Sequence, residues 1–365
     1  TAQILNRAEQ AVKRADTRQS ASLAMGLVKS ISSNRVFTNP KESLRITRMA
    51  LKALTLEKCH QTLQSLWKDR DLTITLTSKT APEDGAEVLT ALYKKSQAVK
   101  VAPPEKKEDV TFAYTDFGKA GTVTSRREIK DLGITQLILS NNTRINLKRT
   151  DFQKNSISIH ARFGNGKLTQ PTDKPSLDMF SAILLNAGGL GKHSSDDLQR
   201  ITAGRNVGGN LSVDEDAFTM DGRTTEEDLE LQLQLLCASI TDPGYREEAL
   251  RQFRKMLPMI SSQLKFTISG AMAEMQEWAR GGDGRFAKPN PKVLAKYTAD
   301  DVKAWISPEF DDSYLEISLV GDFDIEKAIP LVLGTVGALP TRSSTRPALG
   351  KERQLKTPKL PATKK

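Results

Sequence analysis

The chain has 365 residues, 38% hydrophobic, 5% aromatic and 27% charged, with a mean hydropathy of -0.43 and a formal net charge of +10. That length suffices for two or three domains with sizeable cores, and no run of about 18 apolar residues exists to span a membrane. Cys59 and Cys237 make no disulfide framework, and the start at Thr1 without a basic and apolar leader leaves a signal peptide absent or already removed.

From Thr1 to about Asn34 the apolar positions Ile4, Leu5, Ala8, Ala11, Val12 and Ala15, then Leu23, Leu27 and Ile31, recur at helical spacing. A shorter helix is expected around Pro40 to Leu54, and another from Thr55 to Lys68. Asp71 to Thr77 reads as a strand, because Leu72, Ile74 and Leu76 alternate with threonines. The charged, Pro-rich Val101 to Asp109 has linker composition. Beyond it an extended strap is expected to run on to Lys130. Leu137 to Leu139 and Ile145 to Leu147 then form a hairpin around Asn141-Asn142.

The stretch from Thr143 to Arg254 carries the clearest signals. Ile157, Ile159, Ala161 and Phe163 alternate with Ser156, Ser158, His160 and Arg162, the period of a strand with one buried face, and Gly164-Asn165-Gly166 ends it. After Pro175, Leu177, Phe180, Ile183, Leu184 and Ala187 make a helix stopped by Gly188-Gly189. Ser194 or Ser195 caps the next helix, with Asp196 and Asp197 in its first turn. Leu211 and Val213, then Phe218, Met220 and Gly222, flank a turn at Asp214-Glu215-Asp216 and predict a hairpin. Thr224 to Asp228 reads as a capping-box start for a helix through Leu229, Leu233, Leu236 and Ile240. Asp242-Pro243-Gly244 breaks it, and Tyr245 to about Lys265 is helical again. Thr55 with Ile74-Thr75-Leu76 echoes Thr298 with Ile317-Ser318-Leu319 at a constant offset of 243 residues, which suggests duplicated domains.

This order of elements resembles one repeat of the pitrilysin/insulinase family of zinc metallopeptidases. The residues that carry the resemblance are Phe163 to Gly166, Gly188-Gly189, Val207 to Phe218, Ile240 to Tyr245 and, later, Tyr314 to Asp324. Peptide-cleaving members carry His-x-x-Glu-His on the helix concerned, where two imidazoles one turn apart share a zinc and the Glu takes a proton from its water. Here the motif falls on Met179, Phe180, Ser181, Ala182 and Ile183. Ala182 and Ile183 offer no lone pair, and the Met179 thioether is poorly matched to zinc. The family's third ligand, a Glu on the last helix of the repeat, has no counterpart between Phe253 and Lys265. No catalytic or metal-ligating residue is therefore expected.

The resemblance implies an α+β fold of repeated peptidase-like domains, each a mostly antiparallel sheet packed with helices. It implies the end of a second domain over 1–98, an inter-half linker over 99–130, a third, metal-free domain over 131–265, the start of a fourth over 266–340 and a basic, Pro-rich linker or tail over 341–365. It further implies the non-catalytic half of a zinc endopeptidase, which walls a chamber, binds peptide and docks on a catalytic half that keeps the zinc. Ser181 and Asn210 occupy positions matching the family's site and are the candidate substrate contacts. An exported, periplasmic location is what the resemblance suggests. A structural assembly subunit of the same fold is the alternative.

Other chemistry finds less support in the residues. Ser65 to Lys68 and Ser262 to Lys265 fit Ser-x-x-Lys but lie inside helices, with no Ser-Asp-Asn or Lys-Thr-Gly. Gly188 to His193 lacks the spacing of a phosphate loop. His193 with Asp196 and Asp197 could hold a metal, but an exposed histidine before a capped helix is the plainer reading. Eight Lys or Arg between Thr341 and Lys365, against Glu352 alone, supply +7 of the net charge. Without an aromatic to stack on bases that segment reads as solvated, and nucleic-acid binding through it is a further alternative.

Overall fold

The computed structural model describes residues 1–67, 72–78, 80, 83–102, 110–355 and 358, in two compact units: 1–44 with 111–365, and 45–110. In chain order the elements begin with helices α1 (Ala2–Lys13), α2 (Ser20–Ser32), α3 (Pro40–Ala53), α4 (Leu56–Trp67) and α5 (Gly85–Gln97). Strands β1 (Val123–Ile129), β2 (Ile134–Leu139), β3 (Arg144–Arg149) and β4 (Ile157–Phe163) follow. Then come α6 (Leu177–Gly188), α7 (Ser195–Ile201), the hairpin β5 (Gly209–Val213) and β6 (Phe218–Thr224), and helices α8 (Leu229–Thr241), α9 (Glu247–Phe266) and α10 (Ile268–Ala279). The short α11 (Pro291–Leu294), α12 (Ala299–Asp311), β7 (Leu315–Gly321) and α13 (Ile325–Gly334) complete the order. Among the described residues no helix is long and apolar enough to cross a membrane.

The fold is α+β. Its larger unit holds a seven-stranded sheet in the order β1-β2-β3-β7-β4-β6-β5, antiparallel throughout except for the parallel pair β3 and β7. Alternation places Leu137, Leu139, Ile145, Leu147, Ile157, Ile159, Ala161, Phe163, Leu315, Ile317 and Leu319 on one face, all buried. The helices cover that face. Phe180 and Leu184 of α6, Leu233 and Leu236 of α8, Phe253 of α9 and Val302, Trp305 and Phe310 of α12 join the same core. Each such side chain contributes about 1.5–3 kcal/mol by leaving water.

Two signatures in the sequence prove to be each other's contacts. Gly188-Gly189 at the end of α6 meets Asp242-Pro243-Gly244 after α8: the Gly244 amide donates to the Gly189 carbonyl at 2.9 Å, and a Cβ on Gly188 would lie 1.8 Å from the Gly244 carbonyl oxygen. Only glycine allows that approach.

Several expectations change. The strand from Tyr314 onward, assigned to a following domain, lies between β3 and β4, so the boundary at 265/266 does not divide the sheet. Residues 123–129, expected in a strap, pair with β2 as the edge strand β1. The stretch expected as 1–98 is split at 44/45, and α1 belongs with the sheet because Asn6 bonds Asn206 and Gln10 accepts from Asn155 at 2.7 Å. Residues 72–77 form no strand: Leu72, Ile74 and Leu76 are exposed and no ladder partner lies among the described residues, so the echo at 298–319 has a strand where the first copy has none. No capping bond is accepted by the Thr225 side chain, whose hydroxyl instead donates to Asp228, a carboxylate also held by Arg205 and by the Asn206 amide at 2.7 Å. Part of the stretch expected to be solvated is docked: Arg342 is buried against the Phe310 carbonyl, and Arg346 and Arg353 reach Asp216. Most of the Pro-rich 101–109 stretch, together with Asp71, Lys68 and the last four cations of the tail, lies outside the described residues.

In the unit of 45–110, α4 and α5 leave Leu63, Trp67 and Leu92 exposed, and no described residue is buried.

Phe180 touches the rings of Phe253 and Tyr297 at centroid distances of 5.3 and 5.6 Å and is 1% exposed. Phe180→Ala is expected to destabilise the sheet unit by about 3–5 kcal/mol in chemical denaturation, through lost transfer energy and the cavity left behind.

Candidate functional site

Helix α6 separates its residues into two faces. Phe180, Ser181, Leu184 and Leu185 are buried in the core, whereas Met179, Ala182 and Ile183 are half-buried and Asn186 is exposed. The positions that would hold a metal therefore share one accessible face but present a thioether and two hydrocarbon side chains. On α9, Glu247 lies in the first turn and pairs with Arg254 instead. Among the described residues no group of three His, Cys, Asp or Glu could hold a metal ion. These residues do not fit zinc.

Ser181, a candidate substrate contact, is 0% exposed, and its Oγ has no hydrogen-bond partner among the described residues. It faces the core because positions 180, 181, 184 and 185 form the helix's inner stripe. A neighbour not singled out from the sequence has a structural task. The Asn186 amide donates to the Leu211 carbonyl and accepts from the Leu211 N–H, both at 2.9 Å, which closes edge strand β5 at its outward backbone pair. Its only signal in the sequence is a carboxamide at the end of the apolar run Ala182 to Leu185.

Asn210, the other candidate, is exposed on β5 and belongs to the sheet face opposite the core. There one register row crosses all seven strands: Arg127, Gln136, Asn146, Ser318, His160, Asp221 and Asn210. Every member is polar. Gln136 donates to Asn146 at 2.9 Å, Asn146 donates to Glu316 at 2.7 Å, and His160 Nδ1 lies 2.7 Å from Asp221. Such laterally bonded, accessible side chains hold a fixed pattern of donors and acceptors toward whatever lies on the sheet. At one margin, burial opposes the charge of Asp216, but Arg162, Arg346 and Arg353 outweigh it and hold the carboxyl below its usual range.

His193 is buried rather than exposed, at 3%. Its Nε2 accepts the Ala113 N–H at 2.9 Å, so the ring proton is on Nδ1, which is buried with no partner among the described residues. The ring stacks on Phe112 and meets Tyr114 edge-on. Tyr114 donates to Asp242 at 2.6 Å and accepts from the Lys192 amide. Burial, and then that bond to Asp242, push the Tyr114 hydroxyl up to about 12. Asp197 closes a capping box with Ser194 and pairs with Arg200, so it is not turned to a metal. Residues 112–114 are thus clamped onto the loop after α6. Of the Ser-x-x-Lys segments, Ser65 bonds the Thr62 carbonyl within its own helix.

No protein-family model matches the chain. It is 27% identical over 225 residues to the chloroplastic stromal processing peptidase of Arabidopsis thaliana, covering 60% of this chain and 18% of that protein. It is 22% identical over 329 residues to the probable zinc protease PqqL of Escherichia coli (strain K12), covering 87% of this chain and 34% of that one. The crystal structure of that periplasmic protease superposes with a TM-score of 0.55 at 20% identity, over 95% of this chain and 39% of the other. The crystal structure of pitrilysin gives a TM-score of 0.51 at 14% identity, over 63% of this chain and 26% of the other. The chain thus spans between a fifth and two fifths of the length of most of these relatives.

Purified without an affinity tag, the chain is expected to carry zinc in fewer than about one molecule in ten, and a chelator should leave its melting temperature unchanged. Stoichiometric zinc by mass spectrometry would contradict the reading of α6. A second outcome concerns pH. Burial first, with Arg246 and Lys192, holds His193 below its ordinary value of 6.5 despite Asp197. The unfolded chain then binds the proton first, so this contribution is complete above about pH 6.5 and is lost as pH falls toward the lower folded value. Hydrogen exchange of the Ala113 amide should accelerate between about pH 7 and pH 5 beyond the intrinsic trend, and should lose that excess in His193→Phe.

Proposed function

The chain fits a fragment of the pitrilysin/insulinase family of peptidases, and we propose that it is the non-catalytic half of a zinc endopeptidase, lining a chamber in which peptides or unfolded chains are held. The reading rests above all on the in-register polar row from Arg127 to Asn210, an accessible surface on a sheet whose other face is sealed by helices. The loss of ligands at Met179, Ala182 and Ile183 supports the same reading: hydrolysis would be done by a catalytic half that keeps the metal, in the same polypeptide or a partner subunit. This chain contributes shape, hydrogen-bonding groups and exclusion of bulk water, which position an extended substrate and reduce its freedom. Asn210 remains the candidate contact, now beside Asp221 and His160. Ser181 acts as core.

A photo-reactive residue placed at Asn210 or Ser318 is expected to cross-link a reduced, unfolded polypeptide, and one at the exposed Glu230 of α8 is not. Equal labelling at all three would remove the wall assignment. No labelling anywhere would favour a structural subunit of the same fold.

A further inference from the structure

The polar face carries an excess of positive charge that its own carboxylates do not neutralise. Its cations are Arg127, Arg144, Lys148, Arg162 and Arg223, and its carboxylates are Glu316 and Asp221. Both carboxylates are engaged: Glu316 accepts from Asn146 at 2.7 Å and from Tyr314 at 2.9 Å, and Asp221 is held by His160. Arg162 pairs with Asp216, and Arg144 stacks over Tyr314. Arg127, Lys148 and Arg223 make no ion pair among the described residues.

Two of these share a second register row, Lys148, Val320, Ser158 and Arg223, on β3, β7, β4 and β6. Three strand spacings of about 4.8 Å put the two backbone positions about 14 Å apart. Between them lie a small hydroxyl and the partly exposed Val320. Arg14 adds to the cationic end. It anchors on the Asn155 carbonyl at 3.2 Å, its Nε is buried without an acceptor, and after burial the charge of Arg223 is what further disfavours its own. Guanidinium groups set near one another with no carboxylate between them are ready for an incoming anion.

We propose that this row selects extended acidic segments, taking carboxylates at positions i and i+4 on Arg223 and Lys148 and an apolar residue at i+2 over Val320. An extended chain rises about 3.4 Å per residue, so positions i and i+4 lie on one side about 14 Å apart, matching the row. This deepens the chamber-wall reading and rests on it: it names the substrate chemistry of that face. The contrary charge, a basic segment, meets Lys148 and Arg223 there.

Binding of labelled Glu-Ser-Leu-Ser-Glu, Gln-Ser-Leu-Ser-Gln and Lys-Ser-Leu-Ser-Lys peptides to the full chain, followed by fluorescence anisotropy, tests this. The Glu peptide should bind about five- to tenfold more tightly than the Gln peptide, with a preference that shrinks as salt rises. Lys148→Glu with Arg223→Glu should reverse the order in favour of the Lys peptide. The single changes Lys148→Gln and Arg223→Gln should each weaken the Glu peptide by about threefold and serve if the double change impairs folding. Equal affinity for the Glu and Gln peptides would overturn the acidic preference and leave the wall intact. A Glu preference that survives the single and double changes would place it elsewhere and overturn the row. No binding of any peptide would remove both readings.

Discussion

The pairing of β7 between β3 and β4 is the constraint on which the rest of the larger unit depends. A strand about 170 residues downstream of β3 and about 160 downstream of β4 fills the middle of the sheet, parallel to the first and antiparallel to the second. Without it the β1-β2-β3 sheet and the β4-β6-β5 sheet would each expose an unpaired edge. Its Leu315, Ile317 and Leu319 are 0% exposed and join both halves of the core. The strand ends at Gly321, whose φ of 155° and close approach to the Ser156 carbonyl leave no room for a Cβ. Closing so distant a contact is entropically costly, and burial on both flanks is what offsets it.

Because β7 fixes the register of its neighbours, it also fixes what the two faces present. A slip of one residue would exchange Ile317 for Ser318 and Leu319 for Val320, turning core outward and polar row inward. Stability and recognition are thereby separated. The helical face carries the apolar core, while the open face holds charges and carboxamides that bond laterally to one another. Helix α6 obeys the same division, with Ser181 inside and Met179, Ala182 and Ile183 at its accessible side.

The segment 112–114 shows how few contacts can hold a connection in place. A single imidazole acceptor, the Tyr114 hydroxyl and two ring contacts tie it to the loop after α6, next to the Gly188–Gly244 approach. Docking there makes the loop's geometry depend on a neutral histidine, an arrangement that a local pattern of residue types does not announce.

Periodicity and punctuation were enough to place the helix from Leu177, the hairpin around Asp214 to Asp216 and a cap at Ser194 or Ser195. These are local properties: hydrophobic spacing sets the element, and the chemistry of a side chain says what it can ligate. The family resemblance was legible for the same reason, being carried by glycines and short runs whose roles are local. The tertiary structure alone decided that β7 closes the sheet, that Ser181 points into the core, that His193 is buried against Ala113, that Arg342 leaves solvent and that residues 72–77 find no ladder partner among the described residues. Each depends on which distant segment arrives, and a chain's pattern of two or 3.6 specifies a face without naming the partner that covers it. The charged rows of the open face are the extreme case, since their members come from strands up to about 190 residues apart and are brought into one row only through the ladder.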